Sequence, residues 1–361
     1  YYWYNNIIKQ GIGVFSTFEV HFNFFLFNLL STDFCDTIKP INKGDMINMK
    51  IVLLEDLGVS KQIIDQHSEK LKSMGHTFIA YQKSNDINIL IERCQDADIL
   101  MLANMPLDKQ VIENAPKLKY IDVAFTGVDH LPMDVIKNKN IAVSNASGYA
   151  TQAVSELCIS FMIQLLRHVR EVEQRCRQAG TKDGLIGNLL NNKTVGIIGA
   201  GAIGKKTAQL CKAFGCHVIA YSRSQVNDPY IDKQVSLQTL LQQSDIVSLH
   251  CPLTPETTGM IGENELKLMK KQAILINTAR GGVIDSLALA EALKNKTIAG
   301  AACDVFENEP PLAKEHPLLN CPNIIVTPHI AFASEESMIQ RADIVFDNLY
   351  AWLKGQYINK V

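Results

Sequence analysis

The chain has 361 residues, which at roughly 100–200 residues per domain is room for two domains. With 47% hydrophobic and 20% charged residues it folds around a sizeable core, which excludes wholesale disorder. Its 35 Lys and Arg against 37 Asp and Glu leave a net charge of -2, and no basic block marks a nucleic acid or an anionic membrane as a partner.

Residues 1–48 hold 11 of the 26 aromatic residues, Tyr1, Tyr2, Trp3 and Tyr4 among them. The run Phe24 to Leu30 is interrupted by Asn28 and falls short of the roughly 18 apolar residues that a membrane span needs. A basic leader followed by a small-residue cleavage site is not found. The texture changes at Met49-Lys50-Ile51-Val52-Leu53-Leu54, which reads as a start running straight into a buried strand. Residues 1–48 are therefore expected to be a non-native or disordered extension, with Met49 or Met46 as the biological start; a membrane-surface anchor is the other reading.

From Met49 onward short apolar runs alternate with helical stretches. Strands are expected at Ile51–Leu54, Thr77–Tyr81, Ala97–Leu102, Leu118–Val123 and Ile141–Val143. A long helix follows, from about Thr151 to Val172, with Ala153, Val154, Leu157, Phe161, Leu165 and Val169 at helical spacing. After a loop rich in Gly and Asn come strands at Thr194–Ile198, His217–Tyr221, Ile246–His250, Ala273–Asn277, Ile298–Ala302 and Ile324–Thr327, then a last helix over about Ser334–Leu353. Strands alternating with helices predict an α/β protein with parallel sheets covered on both faces. The nine cysteines are scattered without a Cys-x-x-Cys pair, so reduced thiols in the cytoplasm are expected rather than a disulfide framework. No cluster of His, Cys, Asp or Glu has the spacing of metal ligands.

The most specific local signal is Gly199-Ala200-Gly201-Ala202-Ile203-Gly204, directly after the strand Thr194–Ile198 and directly before a helix. Gly-x-Gly-x-x-Gly in that setting points to a dinucleotide site. Gly199 permits the tight turn, Gly201 lets backbone approach a pyrophosphate, and Gly204 allows close helix–strand packing. The helix N-terminus, at Ala202 and Ile203, supplies free N–H groups for the phosphates. An NAD site normally places Asp or Glu at the end of the next strand to bind the ribose 2′-hydroxyl. Here Ser222 stands there, followed by Arg223, which suits a 2′-phosphate and favours NADP over NAD.

Three later segments carry polar residues at strand ends: Asn277-Thr278-Ala279-Arg280-Gly281-Gly282, Cys303-Asp304-Val305-Phe306-Glu307-Asn308-Glu309-Pro310 and Thr327-Pro328-His329-Ile330-Ala331. In an open α/β sheet these ends converge on the ligand crevice. Together with the glycine loop, with Gly148-Tyr149-Ala150-Thr151 and with Ser248-Leu249-His250-Cys251-Pro252-Leu253-Thr254-Pro255-Glu256-Thr257, they resemble the D-isomer-specific 2-hydroxyacid dehydrogenase family, from about Lys50 to about Leu353.

The resemblance implies an oxidoreductase that moves a hydride between NAD(P) and a small 2-oxo or 2-hydroxy acid. His329 would be the acid beside the carbonyl oxygen, Glu309 its carboxylate partner, and Arg280 the holder of the substrate carboxylate. The family pattern selects Glu309, immediately before Pro, over Glu307. Asp304 and the backbone near Thr278 would face the nicotinamide carboxamide, and Pro252 and Thr257 would lie along the cofactor. The loop residues Ala103, Asn104 and Met105, with Gly127 and Val128, would bring backbone N–H groups to the substrate carboxylate. His250 would be a cofactor-side residue without a catalytic part. Phe332 stands where many members carry Trp.

The family also implies two Rossmann-like doubly wound domains. A flavodoxin-like substrate domain would be formed by 49–149 with 331–361, and an NAD(P)-binding Rossmann domain by 150–330. A homodimer would be built on the helix near Thr151–Val172 and the loop at Gly184–Gly187. The loop Met101-Leu102-Ala103-Asn104-Met105-Pro106 carries no cation for a phosphate, which disfavours 3-phosphoglycerate, and the presence of Glu309 disfavours formate. Glyoxylate, hydroxypyruvate or a short branched oxo acid are the substrates expected. Two alternatives stay open: a short-form phosphoglycerate dehydrogenase, and a dinucleotide-sensing binding protein of the corepressor type.

Overall fold

The computed structural model describes residues 48–308 and 311–361. The first sheet is built from β1 (Lys50–Leu53), β2 (Thr77–Ala80), β3 (Ile99–Leu102), β4 (Tyr120–Val123) and β5 (Ala142–Asn145). Its strands run parallel in the order β2-β1-β3-β4-β5, which is the flavodoxin-like order. β3 and β4 are buried at every position, as parallel strands covered on both faces must be. Helices α1 (Lys61–Ser73), α2 (Ile87–Cys94), α3 (Lys109–Glu113) and α4 (Met133–Asn138) connect these strands. The side chains of Asp86 and Asp108 cap the first turns of α2 and α3.

The second sheet has seven parallel strands: β6 (Thr194–Ile198), β7 (His217–Tyr221), β8 (Lys233–Gln234), β9 (Ile246–Leu249), β10 (Ile274–Asn277), β11 (Gly300–Cys303) and β12 (Ile324–Val326). The order β12-β11-β10-β9-β6-β7-β8 reverses between β6 and β9, as in a dinucleotide-binding Rossmann sheet. Strand β8 is not anticipated by the sequence pattern. It is two residues long and only partly buried, so no apolar run announces it.

The long helix expected over about Thr151–Val172 is two helices, α5 (Thr151–Leu166) and α6 (Val169–Arg177). The break is at His168, in the left-handed region at φ 52°. The freed Leu166 carbonyl accepts the Asn188 N–H at 2.8 Å. A Cβ on Gly187 would stand 2.5 Å from that same carbonyl oxygen, so the loop reaches the helix end only with glycine there. Apolar periodicity continues through the break and cannot reveal it.

The last helix, α11 (Glu335–Leu353), packs on the first sheet. Asn348 donates to Asp122 Oδ1 and to the Asn145 carbonyl, both at 3.1 Å, and Trp352 stacks on Tyr120 with ring centres 4.9 Å apart. Among the described residues no helix is long and apolar enough to cross a membrane.

Candidate active site

The glycine loop after β6 shows why each glycine stands there. Gly199 has φ 97°, and a Cβ on it would lie 2.7 Å from the Cys251 nitrogen. A Cβ on Gly204 would lie 2.2 Å from the Gly199 carbonyl oxygen, which keeps α7 (Ala202–Ala213) tight against the strand. Gly201 differs, because a Cβ there meets nothing within 4 Å. No packing within the protein demands glycine at that point, which leaves room for a pyrophosphate to approach the backbone. The N–H groups of Ala202 and Ile203 begin α7 and have no helical acceptor. The loop thus fits the pyrophosphate of a dinucleotide.

At the end of β7 Ser222 is half-buried and Arg223 is exposed. The nearby carboxylate of Asp228 lies 4.0 Å from Lys205 Nζ. Thr257 donates to the Pro252 carbonyl at 2.7 Å and accepts the Thr254 N–H at 2.8 Å, so its hydroxyl is spent on shaping its own loop. The Thr278 hydroxyl lies 3.2 Å from Cys158 Sγ on α5. His250 Nε2 is 2.9 Å from Ser248 Oγ, and burial pushes its pKa down to about 4. A neutral imidazole of that kind is a poor proton donor at neutral pH.

Arg280 follows β10. Asn277 holds its turn, donating Nδ2 to the Arg280 carbonyl and accepting the Ala279 N–H, each at 3.0 Å. The guanidinium reaches the loop after β4. Its Nε and Nη2 donate to the two Asp129 oxygens at 3.2 Å each, and Nη1 donates to the Ala279 carbonyl at 2.8 Å. Five N–H bonds less three leave one on each Nη for another acceptor. A Cβ on Gly127 would stand 1.9 Å from Arg280 Nη2, so glycine makes this approach possible. Burial works against ionisation of Asp129, but the Arg280 guanidinium outweighs it and holds the carboxyl below its usual range. Nothing in the local pattern points to Asp129, since its partner is 151 residues away.

His329 lies on the loop after β12 with φ 56°. Its N–H donates to the Asp304 carbonyl at 2.8 Å. The Asp304 carboxylate accepts the Thr327 hydroxyl at 2.6 Å and the N–H groups of Ile330 and Ala331 at 2.9 and 2.8 Å. Asp304 has no exposed surface, and burial is the main cause of its raised pKa. Its carboxylate faces the His329 loop, where the sequence reading turns it toward a nicotinamide. The His329 ring lies edge-on to Phe125 and Phe332, with centres 5.8 and 5.4 Å apart. Glu309 lies outside the described residues. Its rival Glu307 is 3.3 Å from His316 Nε2 and is occupied there.

Two expected donors are corrected. The N–H groups of Ala103 and Met105 both donate to the buried carboxylate of Glu55 at 2.8 Å and are not available to a substrate. The N–H groups of Asn104, Gly127 and Val128 make no hydrogen bond to a described residue, which leaves these three for an anion. No group of three or more His, Cys, Asp or Glu among the described residues could hold a metal ion.

Comparison with known proteins agrees with this geometry. Residues 159–331 match the model of the D-isomer specific 2-hydroxyacid dehydrogenase NAD binding domain. A glyoxylate reductase of Thermococcus litoralis is 39% identical over 74% of this chain and 84% of its own length. A glycerate dehydrogenase of Methylorubrum extorquens is 39% identical over 79% of this chain and 92% of its own length. Among solved structures, an acyclic imino acid reductase in complex with NADPH and D-Arg superposes with a TM-score of 0.80 at 29% identity, covering 87% of this chain and all of that one.

Proposed function

The chain belongs to the D-isomer-specific 2-hydroxyacid dehydrogenase family, and on that premise we propose that it reduces glyoxylate, hydroxypyruvate or another short 2-oxo acid, with NADPH as the preferred donor. It is an oxidoreductase of 2-hydroxy and 2-oxo acids that binds a nicotinamide cofactor. The observation that carries the assignment of residues is the loop after β4. It touches both polar residues of the second sheet's loops, Phe125 against His329 and Asp129 on Arg280.

The roles follow from charge. The bound nicotinamide supplies the hydride. Arg280 uses its two remaining N–H bonds to hold the substrate carboxylate, together with the N–H groups of Asn104 and Gly127. Reduction leaves negative charge on the carbonyl oxygen, and His329 gives it a proton from its ring. Glu309, by the family resemblance, would be the carboxylate partner of that ring. The Phe125, Tyr149 and Phe332 rings pack on one another beside half-buried His329 and give its ring an apolar wall. Asp304 keeps the His329 loop in its left-handed turn.

The NADPH preference is supported by Ser222, which stands at the strand end where an NAD site carries Asp or Glu, and by exposed Arg223 beside it. The two sheets suggest the domains, 49–149 with 331–361 and 150–330, meeting at the cleft. A homodimer using α5 and the Gly184–Gly187 loop is supported by the exposed side chain of Ile186. The test is oxidation of NADPH and of NADH at 340 nm by purified Met49–Val361 with glyoxylate, hydroxypyruvate, pyruvate and 2-oxoisovalerate. Fast turnover of one acid with NADPH is expected. Turnover with NADH alone would overturn the cofactor preference, and no turnover with any of the four would overturn the substrate class.

A further inference from the structure

We propose that Glu55 is a positioning residue for the substrate carboxylate, acting through the turn 103–105. The proposal rests on the assignment of that turn to carboxylate binding. Glu55 follows β1 and Ala103 follows β3. The first sheet reverses its strand order between these two strands, and at such a point the loops part to leave a crevice. Glu55 is only 5% exposed. Its Oε1 accepts the N–H groups of both Ala103 and Met105 at 2.8 Å. The residue between them, Asn104, is exposed, and its N–H makes no hydrogen bond to a described residue. With the two flanking N–H groups turned onto one buried oxygen, the middle one is held away from it, toward the crevice.

The loop bearing Glu55 is itself anchored. Arg341 of α11 is 3% exposed and donates Nη2 to the Leu57 carbonyl at 2.5 Å. Lys83 Nζ stands 3.6 Å from Glu55 Oε2. A buried carboxylate behind an anion site repels the anion. Its presence is explained by the two charge-assisted hydrogen bonds it accepts, which are stronger than those to a neutral acceptor. Geometry and charge therefore make opposite demands on the same residue, and substitutions separate them. Glu55→Gln keeps a carbonyl oxygen for both N–H groups and removes the charge. Glu55→Ala removes the acceptor.

The experiment is calorimetric binding of oxamate, an unreactive 2-oxo acid mimic, to the full chain with saturating NADPH or NADH, alongside glyoxylate kinetics. In Glu55→Ala we expect oxamate binding about tenfold weaker, the glyoxylate KM raised by a similar factor, and kcat and nucleotide affinity nearly unchanged. Glu55→Gln is expected to bind oxamate within about threefold of the natural protein. Unchanged oxamate affinity in Glu55→Ala would overturn the proposal, as would equal weakening in both variants. Should the alanine variant not fold, Glu55→Asp, one methylene short of spanning both N–H groups, is expected to weaken oxamate likewise, and unchanged affinity there would overturn the proposal. Failure of the natural protein to reduce glyoxylate would count against the substrate assignment alone, because oxamate binding reads Glu55 without turnover.

Discussion

The main-chain N–H of His329 donates to the carbonyl oxygen of Asp304 at 2.8 Å, while the Asp304 carboxylate takes the N–H groups of the next two residues. A non-glycine residue at φ 56° is uncommon and persists only when its surroundings hold it. Asp304→Asn turns one acceptor into a donor facing donors. It is expected to lower kcat by about tenfold to a hundredfold through misplacement of the imidazole. Nucleotide affinity, read by fluorescence titration, should stay close to that of the natural protein. An unchanged kcat would show that the loop keeps its shape without the carboxylate.

His329→Gln removes the proton donor and leaves the loop's backbone bonds in place. A fall in kcat of about 10²–10⁴ is expected, the usual contribution of general acid catalysis. The measurement is steady-state turnover of the best oxo acid at saturating nucleotide. A loss under threefold would remove His329 from the proton-transfer role.

Arg280 and Asp129 form the other contact between the two sheets' loops. Gly127→Ala would push against Arg280 Nη2, the far end of a flexible side chain, so the protein should fold and bind nucleotide while kcat/KM for the oxo acid falls about tenfold or more. Asp129→Asn should raise KM by about fivefold through loss of a charge-assisted pair. Asp129 has a depressed carboxyl pKa in the folded protein. Its pairing is complete above the unfolded value, roughly 3.9, and is lost as pH falls through the lower folded value. The oxo-acid KM should therefore show no titration of Asp129 between about pH 5 and 8.

Ser222→Asp would place a carboxylate where the proposed 2′-phosphate of NADPH would lie. The ratio of kcat/KM for NADPH over NADH is expected to fall by about tenfold or more, read from nucleotide saturation curves. An unchanged ratio would separate Ser222 from nucleotide choice.

His250 gives a stability signature. Burial depresses its pKa from 6.5 to about 4. The unfolded chain binds its proton first, so the contribution of neutral His250 is complete above pH 6.5 and is lost as pH falls from 6.5 toward 4. Urea unfolding should show stability declining between pH 7 and pH 5, and His250→Gln should flatten that decline. An equal slope in both proteins would assign the acid sensitivity to other groups.

Much of the fold is legible in the residues because it is local. The strands lie within a few residues of their apolar runs, and the spacing of Gly199, Gly201 and Gly204 declares the loop, with Gly199 at positive φ and Gly204 packed on the Gly199 carbonyl. The break at His168 is not legible, because a distant loop at Gly187 and Asn188 takes up the freed carbonyl. Glu55 gives no sign of its part, because the N–H groups it accepts are 48 and 50 residues away.

Sequence alone determined the alternating elements, the dinucleotide loop and the residue types at the strand ends, because periodicity and turn chemistry are properties of neighbouring residues. Tertiary structure decided which of those groups meet. It put Asp129 on Arg280, turned Asp304 onto the His329 loop and took the Ala103 N–H for Glu55. These pairings follow from strand order, which brings loop ends together across the sheets, and no local pattern of residues encodes that order.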